Sequence, residues 1–272
     1  MINECVGRNP RPTLAQTDPA ATVVAGTLMS APTAITIIIP CEGPPSLLPP
    51  TLASIREQRW VEPEIILVDR AASANSAPTH PAAPGVAAHL TVPGDTRATA
   101  MNAGLAAAHG EWILFLRPGD RLVGDMVLSE TLNWMKKTES GVVTGEMADD
   151  DGRITRLPKR VKPAAGDFLP GSATFYRSTL FAENGAFDPA LRTEAEYEFN
   201  LRLWKARIRF KPIPLRITAA PGRRGAVRLP WSECREAIAV RHRFFSFARC
   251  VGWDALTILR WIAARVGSVF SR

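Results

Sequence analysis

Three short apolar runs, spaced along the first half of the chain, predict its central strands. They occupy residues 35–39, 65–68 and 112–116, and proline closely follows the first and the third. Each run is too short for a helix that crosses a core, and none alternates polar with apolar residues. This pattern is typical of strands that are buried on both faces of a parallel sheet.

The segments between these runs have the apolar spacing of amphipathic helices. Residues 46–58 carry apolar side chains on one face, and residues 96–109 form an alanine-rich segment that Gly110 ends. Residues 86–92 add a further strand. Helices that alternate with strands in this way predict an α/β protein with a mostly parallel sheet and right-handed crossovers.

The next part of the chain predicts a hairpin, a short strand and a helix. Residues 149–152 read Asp-Asp-Asp-Gly and lie between the apolar segments 142–147 and 154–157. Three consecutive aspartates are compatible with a metal site, but a turn that ends in Asp-Gly between two strands explains them without one. We therefore predict a hairpin. Residues 171–180 then read as a strand that runs into a short helix, and residues 194–206 as a helix.

The two ends of the chain differ from its centre. Residues 1–33 are rich in proline, alanine and threonine, and we expect a flexible leader there. The uncharged stretch 19–41 is long enough to cross a bilayer, but Pro32 interrupts it and its last residues make a better strand. Residues 231–250 and 253–270 predict two helices. The second has an apolar stripe beside arginines, which suits either a membrane interface or packing on another protein surface.

Composition indicates a globular protein with a substantial core and limits the kinds of partner that we expect. At 272 residues and 46% hydrophobic, the chain can bury a substantial core. Its net charge of +7 is uneven, because from Arg202 onward 16 Lys and Arg oppose 3 acids. A basic tail is typical of contact with phosphates of lipid or nucleic acid, and equally of a solvated surface. No basic run is interleaved with aromatic residues, so nucleic acid is not an expected partner.

Cysteine and histidine usage suggests no metal centre. The four cysteines form no C-x-x-C pair, and the four histidines have no acid or cysteine at ligand spacing. We expect reduced thiols in a cytoplasmic protein, at most peripheral to the cytoplasmic face of the membrane. No histidine is assigned a role.

Candidate chemistry lies where the predicted strands end. Ligands of open α/β sheets collect at the carboxyl ends of their strands. Asp69 ends the second run, and Arg117-Pro118-Gly119-Asp120 follows the third. The second of these sites is unusual, because it offers an arginine and only one carboxylate.

The order of these segments resembles the nucleotide-sugar-binding domain of the family 2 glycosyltransferases, which have the GT-A fold. The resemblance implies such a domain over residues 34–215. The charge and apolar pattern of the remaining residues, 216–272, predict a basic helical extension. Residues 35–40 match the opening strand of the family, and residues 65–69 match the strand that ends in Val-Asp-Asp. Residues 101–116 match the Arg-Asn-x-Gly helix together with the strand before Asp-x-Asp. Residues 171–203 match the acceptor-side segment.

The resemblance also implies roles for individual residues. A UDP- or other NDP-sugar would be the sugar donor, and a glycan or lipid-linked molecule would be the acceptor. The implied contacts to the sugar donor are Pro40, Glu42, Asp69, Asn102, Gly104 and Arg117. Asp69 would accept a hydrogen bond from the nucleotide base, and Glu196 would deprotonate the acceptor hydroxyl. In this family a divalent cation, Mg²⁺ or Mn²⁺, bound by Asp-x-Asp stabilises the leaving diphosphate.

This sequence departs from the family pattern at the residues that carry the chemistry. Asp-x-Asp-Asp is replaced by Arg117-Pro118-Gly119-Asp120, so only Asp120 could reach a metal. The second aspartate of Val-Asp-Asp is Arg70. The Arg of Arg-Asn-x-Gly is Met101. The Glu-Asp pair that supplies the base is Ala195-Glu196.

Two hypotheses follow from these departures. In the first, Arg117 binds the diphosphate in place of the metal, since a guanidinium contacts phosphate oxygens bidentately. The protein is then a glycosyltransferase of polysaccharide or glycoconjugate synthesis. In the second, the site has lost activity, and the domain is a binding or scaffold protein in a glycan-assembly system. Fold alone does not separate the two.

Overall fold

The computed structural model describes residues 33–71, 80–81, 83–221 and 230–266. The predicted leader, apart from Thr33, lies outside these residues. The strands are β1 Ile35–Cys41, β2 Glu64–Ala71, β3 Ala88–Pro93, β4 Trp112–Phe115, β5 Arg121–Leu122, β6 Val142–Asp149, β7 Ile154–Thr155, β8 Thr174–Arg177 and β9 Phe210–Ala220. The helices are α1 Leu48–Arg56, α2 Arg97–Ala107, α3 Val127–Met135, α4 Thr179–Asn184, α5 Ala195–Lys205, α6 Trp231–Phe244 and α7 Phe247–Val266.

The strands of the described residues form one sheet, in the order β3-β2-β1-β4-β8-β6-β9-β5, with β7 paired to β6. Strands β1, β2, β3, β4, β6 and β9 run in one direction, and β5, β7 and β8 run in the other. The prediction of a mostly parallel sheet flanked by helices is confirmed. The carboxyl ends of β1, β2 and β4 therefore meet at one edge.

Side chains of the central strands are buried on both faces of the sheet. In β1, Ile37 and Ile39 face the layer that contains α1, whereas Ile38 faces the opposite layer with α2, and all three are fully buried. Burial of each such side chain stabilises the fold by about 1.5–3 kcal/mol. The continuous apolar runs arise because no face of these strands meets water.

The predicted hairpin is confirmed, because β6 and β7 pair antiparallel around residues 149–152. Strand β9 was not predicted, and it continues the sheet beyond residue 215, the expected end of the domain. Its sequence contains Pro212 and Pro214, which normally argue against a strand. The β6–β9 register shifts beside them, between Thr144 and Glu146, so the prolines occupy the irregular part of the ladder.

The two C-terminal helices meet at Phe245 and Ser246 rather than near residue 251 as predicted. Phe245 is extended and buried, and its ring lies 5.7 Å from that of Trp204. This contact anchors the junction to α5. The end of the predicted second helix, beyond residue 266, lies outside the described residues. Among the helices of the described residues, none has the length and apolarity needed to cross a membrane.

Candidate active site

A row of alternating charges lies along the carboxyl ends of β1, β2 and β4. Glu42 lies between two arginines, with its carboxylate 3.3 Å from Arg70 and 3.7 Å from Arg97. Glu196, in the first turn of α5, lies 3.5 Å from Arg97 and 3.4 Å from Arg117. The fold therefore brings residues from five separate segments into one polar site.

Arg97 is the first residue of α2, where Thr96 caps the helix by accepting a hydrogen bond from the Thr99 amide. Its side chain is only 9% exposed. Within the described part of the chain, its Nε and Nη1 have ion-pair neighbours but no hydrogen-bond partner. Burial lowers its pKa from the ordinary value, although arginine stays charged at neutral pH. The buried positive charge adds to that of the helix N-terminus, an arrangement that favours an anion.

Arg117 directly follows the β4 run and is 46% exposed. It begins a tight turn, in which the Asp120 amide donates to the Arg117 carbonyl at 2.9 Å. Pro118 supplies the fixed φ of the second position, and Gly119 adopts φ +100° at the third, as a type II turn requires. This Pro-Gly turn presents the Arg117 guanidinium to solvent.

Asp120 is 4% exposed and its carboxylate is engaged within the turn. The Arg117 amide donates to it at 3.0 Å, and the Ser172 hydroxyl also donates to it. Burial raises its pKa above the ordinary value. Positions 117 and 119 supply no oxygen ligand, and two guanidiniums lie close by. This donor set does not fit Mg²⁺ or Mn²⁺, which need several oxygen ligands.

Glu196 is the carboxylate that faces both arginines. Burial alone would raise its pKa, but Arg97 and Arg117 outweigh burial and hold the pKa below its ordinary value. Together with Arg117, Asp120 and Ser172 it lines an open cleft of about 460 Å³. The carboxylate is ionised at neutral pH and reaches a space large enough for a small ligand.

Asp69 lies at the end of β2 but points into the protein, and it is fully buried. One carboxylate oxygen lies 2.8 Å from His80 Nδ1, and the other lies 2.6 Å from His89 Nε2. Cys41 is its partner in the β1–β2 register, and burial with the Asp69 charge raises the pKa of this thiol to about 12. Contact of Asp69 with a nucleotide base would require an imidazole to move, so this role stays a prediction.

The other implied contacts to the sugar donor have structural partners in the fold. Asn102 Nδ2 donates to the Phe187 carbonyl at 2.9 Å, and the Phe187 amide donates back to Asn102 Oδ1 at 3.0 Å. Gly104 lets α2 approach the sheet, since an added Cβ would lie 2.4 Å from Ile38 Cγ2. Pro40 is buried within β1. Their roles as ligand contacts stay predictions.

The structure groups Glu42, Arg117, Asp120 and Glu196 in one place and leaves Asp69 beneath the surface. It adds two residues that sequence reasoning missed, Arg97 and Ser172. Arg97 did carry a signal, because a positive residue at a helix N-terminus is unfavourable unless an anion compensates it. Ser172 carried none, because its contact with Asp120 depends on tertiary structure.

Comparison with known proteins gives the family. The model of "Glycosyl transferase family 2" matches residues 36–185 of this chain. A PGL/p-HBAD biosynthesis glycosyltransferase of Mycobacterium bovis is 29% identical over 187 residues, which cover 64% of this chain and 70% of the relative. A protein of the same description from Mycobacterium tuberculosis matches equally well.

Solved structures agree with the fold. Mannosyltransferase PcManGT from Pyrobaculum calidifontis, in complex with GDP-Man and Mn²⁺, superposes with a TM-score of 0.61 at 16% identity, over 97% of this chain and 80% of that one. TarS 1-349 of S. aureus, in complex with UDP-GlcNAc, gives a TM-score of 0.58 at 16% identity, over 84% and 72%. The fold is therefore GT-A, and the chain belongs to glycosyl transferase family 2.

Proposed function

We propose that this protein transfers a sugar from a nucleotide-diphospho-sugar to a glycan or lipid-linked acceptor, and that Arg97 and Arg117 take the place of the usual metal ion. The observation that carries the proposal is the convergence of both guanidiniums on Glu196 at the strand ends. Two positive charges there match the charge that develops on a diphosphate as the glycosidic bond breaks. The nucleotide sugars in complex with the structural relatives support this class of sugar donor.

The two arginines are suited to different parts of this task. Arg97 is buried and fixed at the start of α2, so it adds a preorganised charge to a helix N-terminus. Arg117 is nearly half exposed and can turn toward a ligand in the cleft. A planar guanidinium contacts two phosphate oxygens at once, which suits it to a diphosphate better than the point charge of an ammonium group.

Glu196 is the proposed general base. In the free protein it neutralises both arginines, and its lowered pKa makes it a weak base. A diphosphate that binds Arg97 and Arg117 competes for the same guanidiniums. Loss of these partners raises the basicity of the carboxylate when the sugar donor is in place. Glu196 can then take the proton of the acceptor hydroxyl, with the proton ending on Oε1 or Oε2.

The basic extension provides a surface that suits an acceptor held at a membrane. The large side chains Phe247, Val251, Leu259 and Ile262 project outward from α7 at helical spacing and are 44–73% exposed. Arg249 lies beside them and is also exposed. An amphipathic helix of this kind lies in a lipid interface with its apolar face inserted. The mycobacterial relatives take part in PGL/p-HBAD biosynthesis, which is compatible with a glycoconjugate acceptor.

One observation favours the alternative, a catalytically inactive GT-A domain that acts as a scaffold. Asp120, the remaining acid of the metal motif, is committed to hydrogen bonds from the Arg117 amide of its own turn and from the Ser172 hydroxyl. Calorimetric titration with nucleotides and nucleotide sugars separates the two functions. The transferase must bind one sugar donor and turn it over with an acceptor. Binding of none of them would contradict the transferase and leave the alternative.

A further inference from the structure

We propose that Cys41, Asp69 and His80 bind a zinc ion at the carboxyl ends of β1 and β2. One ligand atom from each of these three buried side chains lies within 4.8 Å of the other two. Cys41 and Asp69 face each other across the parallel pair β1–β2, and His80 reaches them from the connection to β3. The site is separate from the arginines of the cleft, and zinc bound there would take the place of the nucleotide-base contact predicted for Asp69.

The types of ligand identify the metal. A thiolate, an imidazole and a carboxylate form a mixed S, N and O set that suits Zn²⁺, whereas Mg²⁺ and Mn²⁺ prefer oxygen ligands alone. In a tetrahedral zinc site neighbouring ligand atoms lie about 3.2–3.7 Å apart. Binding therefore requires shifts of up to about 1 Å, and His80 Nδ1 and Asp69 Oδ1, now 2.8 Å apart, must separate.

His89 completes the arrangement from β3. Its Nε2 lies 2.6 Å from Asp69 Oδ2, whereas the His80 imidazole contacts Oδ1. A carboxylate that binds a metal through one oxygen is commonly held by a hydrogen bond to the other. His89 would thus orient Asp69, which leaves the fourth zinc position to water.

Zinc binding involves a defined exchange of protons. The Cys41 thiol loses its proton to solvent as the Zn–S bond forms. His80 would coordinate through Nδ1 with the single proton of the neutral ring on Nε2. A proton that Nδ1 holds in the metal-free protein therefore moves to Nε2, and the Zn–N bond replaces the contact of Nδ1 with Asp69. No electron is transferred, and no further reactant is needed.

Cobalt substitution in the full chain tests the site. Metal-stripped protein titrated with Co²⁺ should develop a thiolate-to-cobalt charge-transfer band, which Zn²⁺ abolishes by displacement. Cys41→Ser should lose this band. Cys234→Ser, which changes a buried free cysteine elsewhere, should retain it. His89→Gln should weaken zinc affinity by about 10- to 100-fold, as loss of an orienting partner does.

Two results would overturn the zinc site. One is the absence of the charge-transfer band from the wild-type protein, and the other is its persistence in Cys41→Ser. If Cys41→Ser does not fold, zinc X-ray absorption of the wild-type protein decides. One sulfur in the coordination shell supports the site, and a shell of nitrogen and oxygen alone contradicts it.

Discussion

Arg97 Nε lies 3.5 Å from Glu196 Oε2, and this contact joins the first turn of α2 to the first turn of α5. Both helix N-termini are partially positive, and Arg117 adds a further charge at 3.4 Å from the same carboxylate. Glu196 is therefore the anion that compensates a positive site in the free protein. A diphosphate carries more charge and can compete for these positions.

Substitution of Arg117 should weaken binding of the sugar donor without affecting the fold. Arg117→Ala removes hydrogen bonds to charged phosphate oxygens and should cost about 1.5–3 kcal/mol in binding free energy. Arg117→Lys should recover part of this loss, because it restores the charge but not the bidentate geometry. Isothermal titration calorimetry measures both. Arg59→Ala, which removes an exposed arginine paired with Asp125, is the control and should bind normally.

Substitution of Glu196 should separate transfer from binding. Glu196→Gln keeps the shape of the side chain but removes the base, so kcat should fall by about 100-fold or more. Affinity for the sugar donor should be unchanged or higher, because the arginines lose a competing carboxylate. Transfer assays and calorimetry on the same preparation check this, with the exposed Glu139→Gln as control. Full activity of Glu196→Gln would exclude the residue as the base.

Glu194 should make stability depend on pH. Burial, followed by the charges of Asp167 and Glu236, raises the pKa of Glu194 to about 7. The folded state therefore holds this proton more tightly than the unfolded state, and the carboxylate destabilises the fold increasingly as the pH rises from about 4.5 to 7. Glu194→Gln should increase the free energy of unfolding at pH 8 by about 1–3 kcal/mol and change it little at pH 4. Urea unfolding at both pH values measures the difference, and equal effects would contradict this assignment.

The outward face of α7 should bind anionic vesicles. The double variant Val251→Ser, Leu259→Ser removes two exposed apolar side chains. Each substitution should weaken the free energy of vesicle binding, measured by co-sedimentation, by about 1–2 kcal/mol. Added salt should weaken binding of the wild-type protein, because the charges are screened. Ile154→Ser, at an exposed apolar position in β7, serves as the control. Absence of co-sedimentation at low salt would contradict membrane binding and would favour packing of α7 on another protein surface.

Local pattern was sufficient to predict the core strands and several helices of the fold. The runs that became β1, β2 and β4 are apolar because both faces are covered, and this signal is contained in the sequence itself. Strand β9 escaped prediction because Pro212 and Pro214 lie in it, and only tertiary pairing with β6 shows how the ladder accommodates them.

The candidate site was predictable only in part. Glu42, Arg117, Asp120 and Glu196 follow from the family pattern and from strand ends. The burial of Asp69 does not, because it depends on where His80 and His89 lie after folding. Arg97 was overlooked because the family motif draws attention to Asn102, five residues later in the same helix.

The central claim is that Arg97 and Arg117 replace the metal ion. It is tested most directly by whether binding of the sugar donor depends on a divalent cation. Affinity for the sugar donor should be measured by calorimetry with a chelator and with added Mn²⁺, for the wild-type protein and for Arg117→Asp. Gly119 should be left unchanged, since it has φ +100° and an added Cβ would lie 2.9 Å from Pro221 Cγ. The wild-type protein should bind equally well under both conditions, and Arg117→Asp should bind only with Mn²⁺ or not at all. Wild-type binding that disappears in chelator would contradict the replacement of metal by Arg97 and Arg117.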